Sequence, residues 1–309
     1  MINSPKISIK IVKDISFNTS GCVKADLWYY GRFGEDFVYY ERKIFFMNDK
    51  LLIKDLRSDS PKIIATKFCA KKSLSARGSL RDLIGCTLSL LNVRKGFVAI
   101  HAACVSKGII TILMPAMPNT GKTYTTLWFL KRGYSYLADD TLLVDKNGIA
   151  YANPIASAVN SKILEVVSLG TLKNLNLRIR SKLLKIPGST KILKPYMLKT
   201  WKAVSNTKIL EKANITHTCI LAYGPEKVEE LSNEQAVNIV QGINRYSLPR
   251  PYVNPVLQAY NFFNPDFKDI RDFDINERRI LLSILEKTEK YIICSKGRWG
   301  ELIENILKR

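Results

Sequence analysis

Histidine is almost missing from this chain of 309 residues, in which His101 and His217 are the only two. The six cysteines (Cys22, Cys69, Cys86, Cys104, Cys219 and Cys294) include no C-x-x-C pair. That inventory argues against a Cys/His zinc site, which needs ligands at short, fixed spacing. Most of the cysteines stand in apolar runs, where a free thiol behaves as a small hydrophobe, and a reducing, cytoplasmic setting is expected. The first residues lack the unbroken apolar stretch of a signal peptide. The longest apolar stretch, 97–116, is interrupted by His101, Ser106 and Lys107, so no membrane span is expected. Internal repeats and low-complexity segments are lacking too.

Acidic residues are the scarcer charge. Lys and Arg number 48 against 27 Asp and Glu, a formal net charge of +21. Such an excess fits a nucleic-acid, membrane or anionic-substrate partner, or simply a Lys- and Ile-rich habit of composition. The basic residues are scattered and become dense only over 171–212, a candidate docking face for something anionic. No nucleic-acid recognition motif accompanies them, so nucleic acid is not the expected partner. An apolar content of 46% with 24% charged residues is that of an ordinary globular chain, long enough for one large domain or two smaller ones.

What is present falls into segments. From 7 to about 56, short β-branched and aromatic runs such as "ISIKIVKDI", "FVYYERKIFF" and "KLLIKDL" predict antiparallel strands. Residues 57–78 are basic and turn-rich and read as a linker. Ser79 followed by Asp82 reads as an imperfect capping box, opening a helix with Leu83, Ile84, Leu88, Leu90 and Leu91 on its apolar face. "FVAIHAACV" and "IITILMP" are strand candidates about a turn at "SKG". "TYTTLWFLKRG" has helical spacing and stops at Gly133, "YSYLADD" is a third strand, and "TLLVD", "KNG" and "IAYANP" form a hairpin. The expected organisation is a β-rich module over 1–75 and a larger α/β domain over 76–309.

The stretch "PAMPNTGKT" at 115–123 carries the chemistry. A phosphate-binding loop reads G-x-x-x-x-G-K-[ST]; Gly121, Lys122 and Thr123 are in place, but Ala116 replaces the first glycine. Alanine serves there only if the local φ stays negative. Pro118 removes one donor, leaving the amides of Asn119, Thr120, Gly121, Lys122 and Thr123 to form a nest for anionic oxygens. Lys122 is placed to reach the β- and γ-phosphates of a nucleotide, and Thr123 to ligate Mg²⁺. Asp139 and Asp140 end the next strand. One carboxylate there can hold Mg²⁺ and the other orient or deprotonate an attacking hydroxyl, provided the strand stops and both side chains turn to one site. His101, one hairpin away, is placed to tune those acids, whereas His217 has no such context and reads as structural.

The run "IHAACVSKGIITILMPAMPNTGKTYTTLWFLKRGYSYLADDTLLVD", with the preceding "SLRDLIGCTLSLLNVRKG", resembles the HPr kinase/phosphorylase superfamily of P-loop kinases over about 70 residues, 79–148. The resemblance implies an α/β fold with a mixed sheet flanked by helices, and an ATP- and Mg²⁺-dependent kinase acting on a hydroxyl. The acceptor it implies is the serine of a protein or peptide, or a small molecule. It makes Asp140 the general base and Asp139 the metal ligand, with the reverse order open, and His101 the imidazole supporting the acid. Further echoes add Glu165 as a metal ligand in "SKILEVVSLG" and Arg250 near the transferred phosphate in "LPRPYVNP". The arginine usual two residues after that glutamate is Val167 here. A homo-oligomer is a further implication. The alternative is a nucleotide-binding regulator or assembly factor without transferase activity, motivated by Ala116, Pro118 and the positive charge.

Overall fold

The computed structural model describes residues 6–71, 79–155, 157–158 and 197–308. The chain is mixed α/β and forms two compact units, Met1–Phe97 with Pro249–Arg278, and Val98–Leu248 with Arg279–Arg309. The units are therefore not those of a linear division after residue 75: the helix from Leu80 and a returning segment join the N-terminal strands.

In the first unit, six strands form one sheet: β1 (Ser8–Val12), β2 (Val23–Lys24), β3 (Tyr29–Gly31), β4 (Phe37–Ile44), β5 (Met47–Lys54) and β6 (Lys62–Thr66). Their order is β1-β6-β5-β4-β3-β2, antiparallel except for the parallel β1–β6 pair. The expected linker is thus half wrong. Within it, β6 inserts between β1 and β5, because Ile63 and Ala65 alternate onto the buried face. The local excess of Lys, Arg and Ser concealed that alternation. Val38, Tyr40, Leu51 and Ile53 face Leu83, Cys86 and Leu90 of the helix Leu80–Arg94, and Leu257, Tyr260 and Phe263 of the helix Pro255–Phe263. The capping box forms as expected: the Ser79 hydroxyl accepts from the Asp82 amide at 3.1 Å, and the Asp82 carboxylate accepts from the Ser79 amide at 3.0 Å.

The second unit contains β7 (Phe97–Ile100), β8 (Ala102–Lys107), β9 (Ile110–Pro115), β10 (Ser135–Ala138), β11 (Leu142–Asp145) and β12 (Ile149–Tyr151). Beyond a two-residue pair, β13 (Ser157–Ala158) with β14 (Met197–Leu198), follow β15 (Lys212–Asn214), β16 (His217–Tyr223), β17 (Lys227–Glu230) and β18 (Glu289–Ser295). The larger sheet has the order β10-β8-β9-β16-β18-β17 and the smaller β15-β12-β11-β7. In the larger sheet β9, β16 and β18 are parallel, so their C-terminal ends share one edge. On one face Cys219, Leu221 and Ile293 pack against Phe129 and Leu130 of the helix Lys122–Leu130 and Trp299, Ile303 and Ile306 of the helix Trp299–Leu307.

"FVAIHAACV" is not one strand. The chain leaves the smaller sheet at Ile100 and enters the larger one at Ala102, with His101 at the crossing. No turn residue marks the switch, since both sheets bury their share of the run. All six thiols are free, and burial holds those of Cys86 and Cys219 up at about 12. Among the described residues, no helix is long and apolar enough to cross a membrane.

Candidate functional site

The loop begins as an extension of the sheet. Ala116, fully buried, bridges to Leu221 beyond the end of β9 and is not among the residues with positive φ. Alanine is therefore compatible with the position, because the extended backbone asks for no glycine. The chain then turns outward through exposed Met117, Pro118 and Asn119, with the Thr120 amide donating to the Met117 carbonyl at 3.3 Å. Asn119 adopts φ 65°, a conformation asparagine tolerates better than most residues.

Gly121 is the position that only glycine fits. Its φ is +123°, and a Cβ there would lie 2.7 Å from the Trp299 ring. Trp299 is itself fixed, nearly fully buried with its indole N–H donating to the Ala222 carbonyl at 2.8 Å. Gly121 caps the helix Lys122–Leu130 without any side-chain hydrogen bond. The amides of Lys122, Thr123 and Tyr124 consequently find no acceptor among the described residues. Three orphan donors at a helix start, beside a backbone with positive φ, form a concave anion-seeking surface.

Lys122 is buried at its head. Its Nζ donates to the Ala116 carbonyl at 2.8 Å, to the Met117 carbonyl at 3.3 Å, and meets His101 Nε2 at 2.9 Å. Burial lowers the ammonium pKa to about 8, with the Asp140 and Asp139 charges opposing the shift. His101 is lowered to about 4, first by burial and then by the Lys122 ammonium, against the pull of Asp140. The ring is therefore neutral at pH 7. Because the ammonium has only donors, Nε2 accepts, which puts the ring proton on Nδ1, 3.5 Å from Asp140 Oδ1. The His101 backbone is pinned separately: its amide donates to Asn244 Oδ1 at 3.0 Å, and Asn244 Nδ2 donates to the Ala99 carbonyl at 3.0 Å.

The two carboxylates follow a strand that has ended. β10 shifts register between Tyr136 and Ala138 and stops, leaving Asp139 and Asp140 in a bend. Strand alternation therefore no longer sends them to opposite faces. Asp139 turns inward and is 2% exposed; its Oδ1 accepts from Thr126 Oγ1 at 3.3 Å and its Oδ2 from Thr200 Oγ1 at 2.8 Å. Asp140 faces His101 with its side chain 57% exposed. The structure thus brings together Gly121, Lys122, Thr123, His101, Asp139 and Asp140. Among the described residues, no cluster of three His, Cys, Asp or Glu side chains could hold a metal.

Two expected site residues are not among these. Arg250 belongs to the other unit, where it is buried with Nη1 2.7 Å from Glu277 and 3.8 Å from Asp274. Glu165 lies outside the described residues. His217 opens β16, at the opposite end of that strand from the loop, with Nδ1 2.8 Å from Thr216 Oγ1.

Sequence reasoning missed Thr126, Thr200, Asn244 and Trp299. Thr126 had a signal, since it follows Lys122 by one helical turn on the same face. The others come from distant segments with no local mark. Comparison of the sequence with protein-family models and with curated proteins returns no match.

Proposed function

We propose that this chain is an ATP- and Mg²⁺-dependent phosphotransferase, a divergent relative of the HPr-kinase-like P-loop enzymes, acting on a hydroxyl acceptor. The observation that carries the reading is the uncapped start of the helix Lys122–Leu130, whose first residue, Lys122, lies within electrostatic reach of Asp140 and Asp139. A polyphosphate fits there because the orphan amides are donors and Lys122 carries a positive charge, while the carboxylates need the cation between them and the phosphates. ATP supplies the transferable γ-phosphoryl group, and Mg²⁺ neutralises the charge between phosphates. Thr123 and Asp139 are the side chains that would hold the cation, an oxygen set small enough for an ion that keeps most of its waters.

The residues divide the work by burial. Asp139, turned inward, has its carboxylate oriented by two threonine hydroxyls. Asp140, open to solvent, is suited to accept the proton of the incoming hydroxyl. The neutral His101 ring presents Nδ1–H to Asp140 and Nε2 to Lys122, holding both in register. Lys122 exchanges its loop carbonyls for phosphate oxygens on binding. Serine in a protein or peptide, or a small alcohol, is the acceptor class.

Titration calorimetry with MgATP tests the reading: the Lys122→Ala protein should lose at least tenfold in affinity, and undiminished affinity rejects the assignment. Binding of MgATP with no phosphorylated product from any hydroxyl acceptor supplied would favour the second reading, a nucleotide-dependent regulator. Pro118, which removes one amide from the loop, is the feature that supports it.

A further inference from the structure

The loop accounts for phosphates and leaves the rest of a nucleotide without a place. Ligands of parallel α/β sheets lie beyond the carboxyl ends of the strands. Here that edge is formed by β9, which runs into the loop, and by its parallel neighbours β16 and β18. The last residue of β16 is Tyr223, whose large ring is 63% exposed.

Three observations tie this ring to the loop. Cys219, Leu221 and Tyr223 alternate along β16, and the first two pack on the face that carries the helix Lys122–Leu130, so Tyr223 extends that face past the strand end. Trp299 spans the gap: one edge of its indole lies against Gly121, while its N–H is bonded to the carbonyl of Ala222, the neighbour of Tyr223. The Tyr223 and Trp299 ring centroids are 6.5 Å apart. The exposed phenol therefore stands one indole's length from the phosphate loop. The backbone that follows it is joined to the neighbouring turn: the Gly224 amide donates to the Ser295 carbonyl at 3.3 Å, and Arg298 lies 3.3 Å from Glu226.

We propose that Tyr223 is the stacking platform for the purine base of the bound nucleotide. The inference rests on the nucleotide reading above. A flat aromatic face at a strand end gives affinity without reading the edge of the base, so adenine and guanine nucleotides should bind alike.

The test compares MgATP with magnesium tripolyphosphate, which has no base, by calorimetry on four proteins: wild type, Tyr223→Ala, Tyr223→Phe and Lys122→Ala. Tyr223→Ala should weaken MgATP about tenfold, within the range base–aromatic stacking gives, and leave tripolyphosphate unchanged. Tyr223→Phe should keep wild-type affinity, and Lys122→Ala should weaken both ligands. If Tyr223→Ala binds MgATP as wild type does, or loses both ligands equally, the platform is overturned while the loop assignment stands. If wild type binds neither ligand, the nucleotide reading fails and the platform with it.

Discussion

Replacing Gly121 by alanine perturbs the loop without touching a charged group, and the structure separates its cost into two parts. The first is conformational: φ of +123° lies outside the basins of an L-residue, and holding alanine there costs roughly 1–3 kcal/mol. The second is steric: the new Cβ would approach the Trp299 ring to 2.7 Å, and overpacking of this kind costs about 1–3 kcal/mol more. Trp299 cannot yield cheaply, because it is buried and its N–H is bonded to Ala222. Together these reach roughly 2–6 kcal/mol, a large share of the stability of a typical domain. A double-mutant cycle with Trp299→Phe removes the far edge of the indole and with it the steric part. Urea unfolding followed by circular dichroism should then give a coupling of about 1–3 kcal/mol between the two sites. A Gly121→Ala cost below about 0.5 kcal/mol, or the same cost in both backgrounds, would refute the geometry argued for the loop.

Thr200→Val deletes the hydroxyl that donates to buried Asp139 at 2.8 Å and nearly preserves side-chain volume. Losing a hydrogen bond to a charged, buried group should lower unfolding free energy by about 1.5–3 kcal/mol, and an unchanged urea midpoint would contradict the placement of that threonine. His101 gives a pH signature with a definite sign. Its folded pKa is about 4 against an ordinary 6.5, so between those values the unfolded chain binds a proton that the folded chain refuses. Stability from this residue is full above pH 6.5 and declines as pH falls toward 4, by roughly 3 kcal/mol at most. His101→Gln should therefore lose less stability than wild type between pH 7 and 4.5, whereas parallel pH profiles would show the histidine is not held neutral by its surroundings.

The order strand, loop, helix, strand and paired acids was legible because each piece is written in adjacent residues. β9, the helix Lys122–Leu130, β10 and the hairpin of β11 and β12 follow the expected segments closely. What stayed hidden depends on contacts far apart in sequence. β6 is a strand because β1 and β5 flank it, not because its own composition stands out. His101 separates two sheets between apolar runs on either side, and burial of those runs looks alike in one dimension. Trp299 reaches Gly121, and Thr200 reaches Asp139, from segments that carry no motif at all.

In the proposed function, the amides opening the helix Lys122–Leu130 receive a polyphosphate. Backbone amide resonances of the ¹⁵N-labelled protein, followed while MgATP is added, address it at the atoms concerned. The largest shifts should fall on Lys122, Thr123 and Tyr124, with Gly121 close behind, as orphan donors acquire an acceptor. Largest shifts at any other segment, with those four resonances unmoved, would contradict the account.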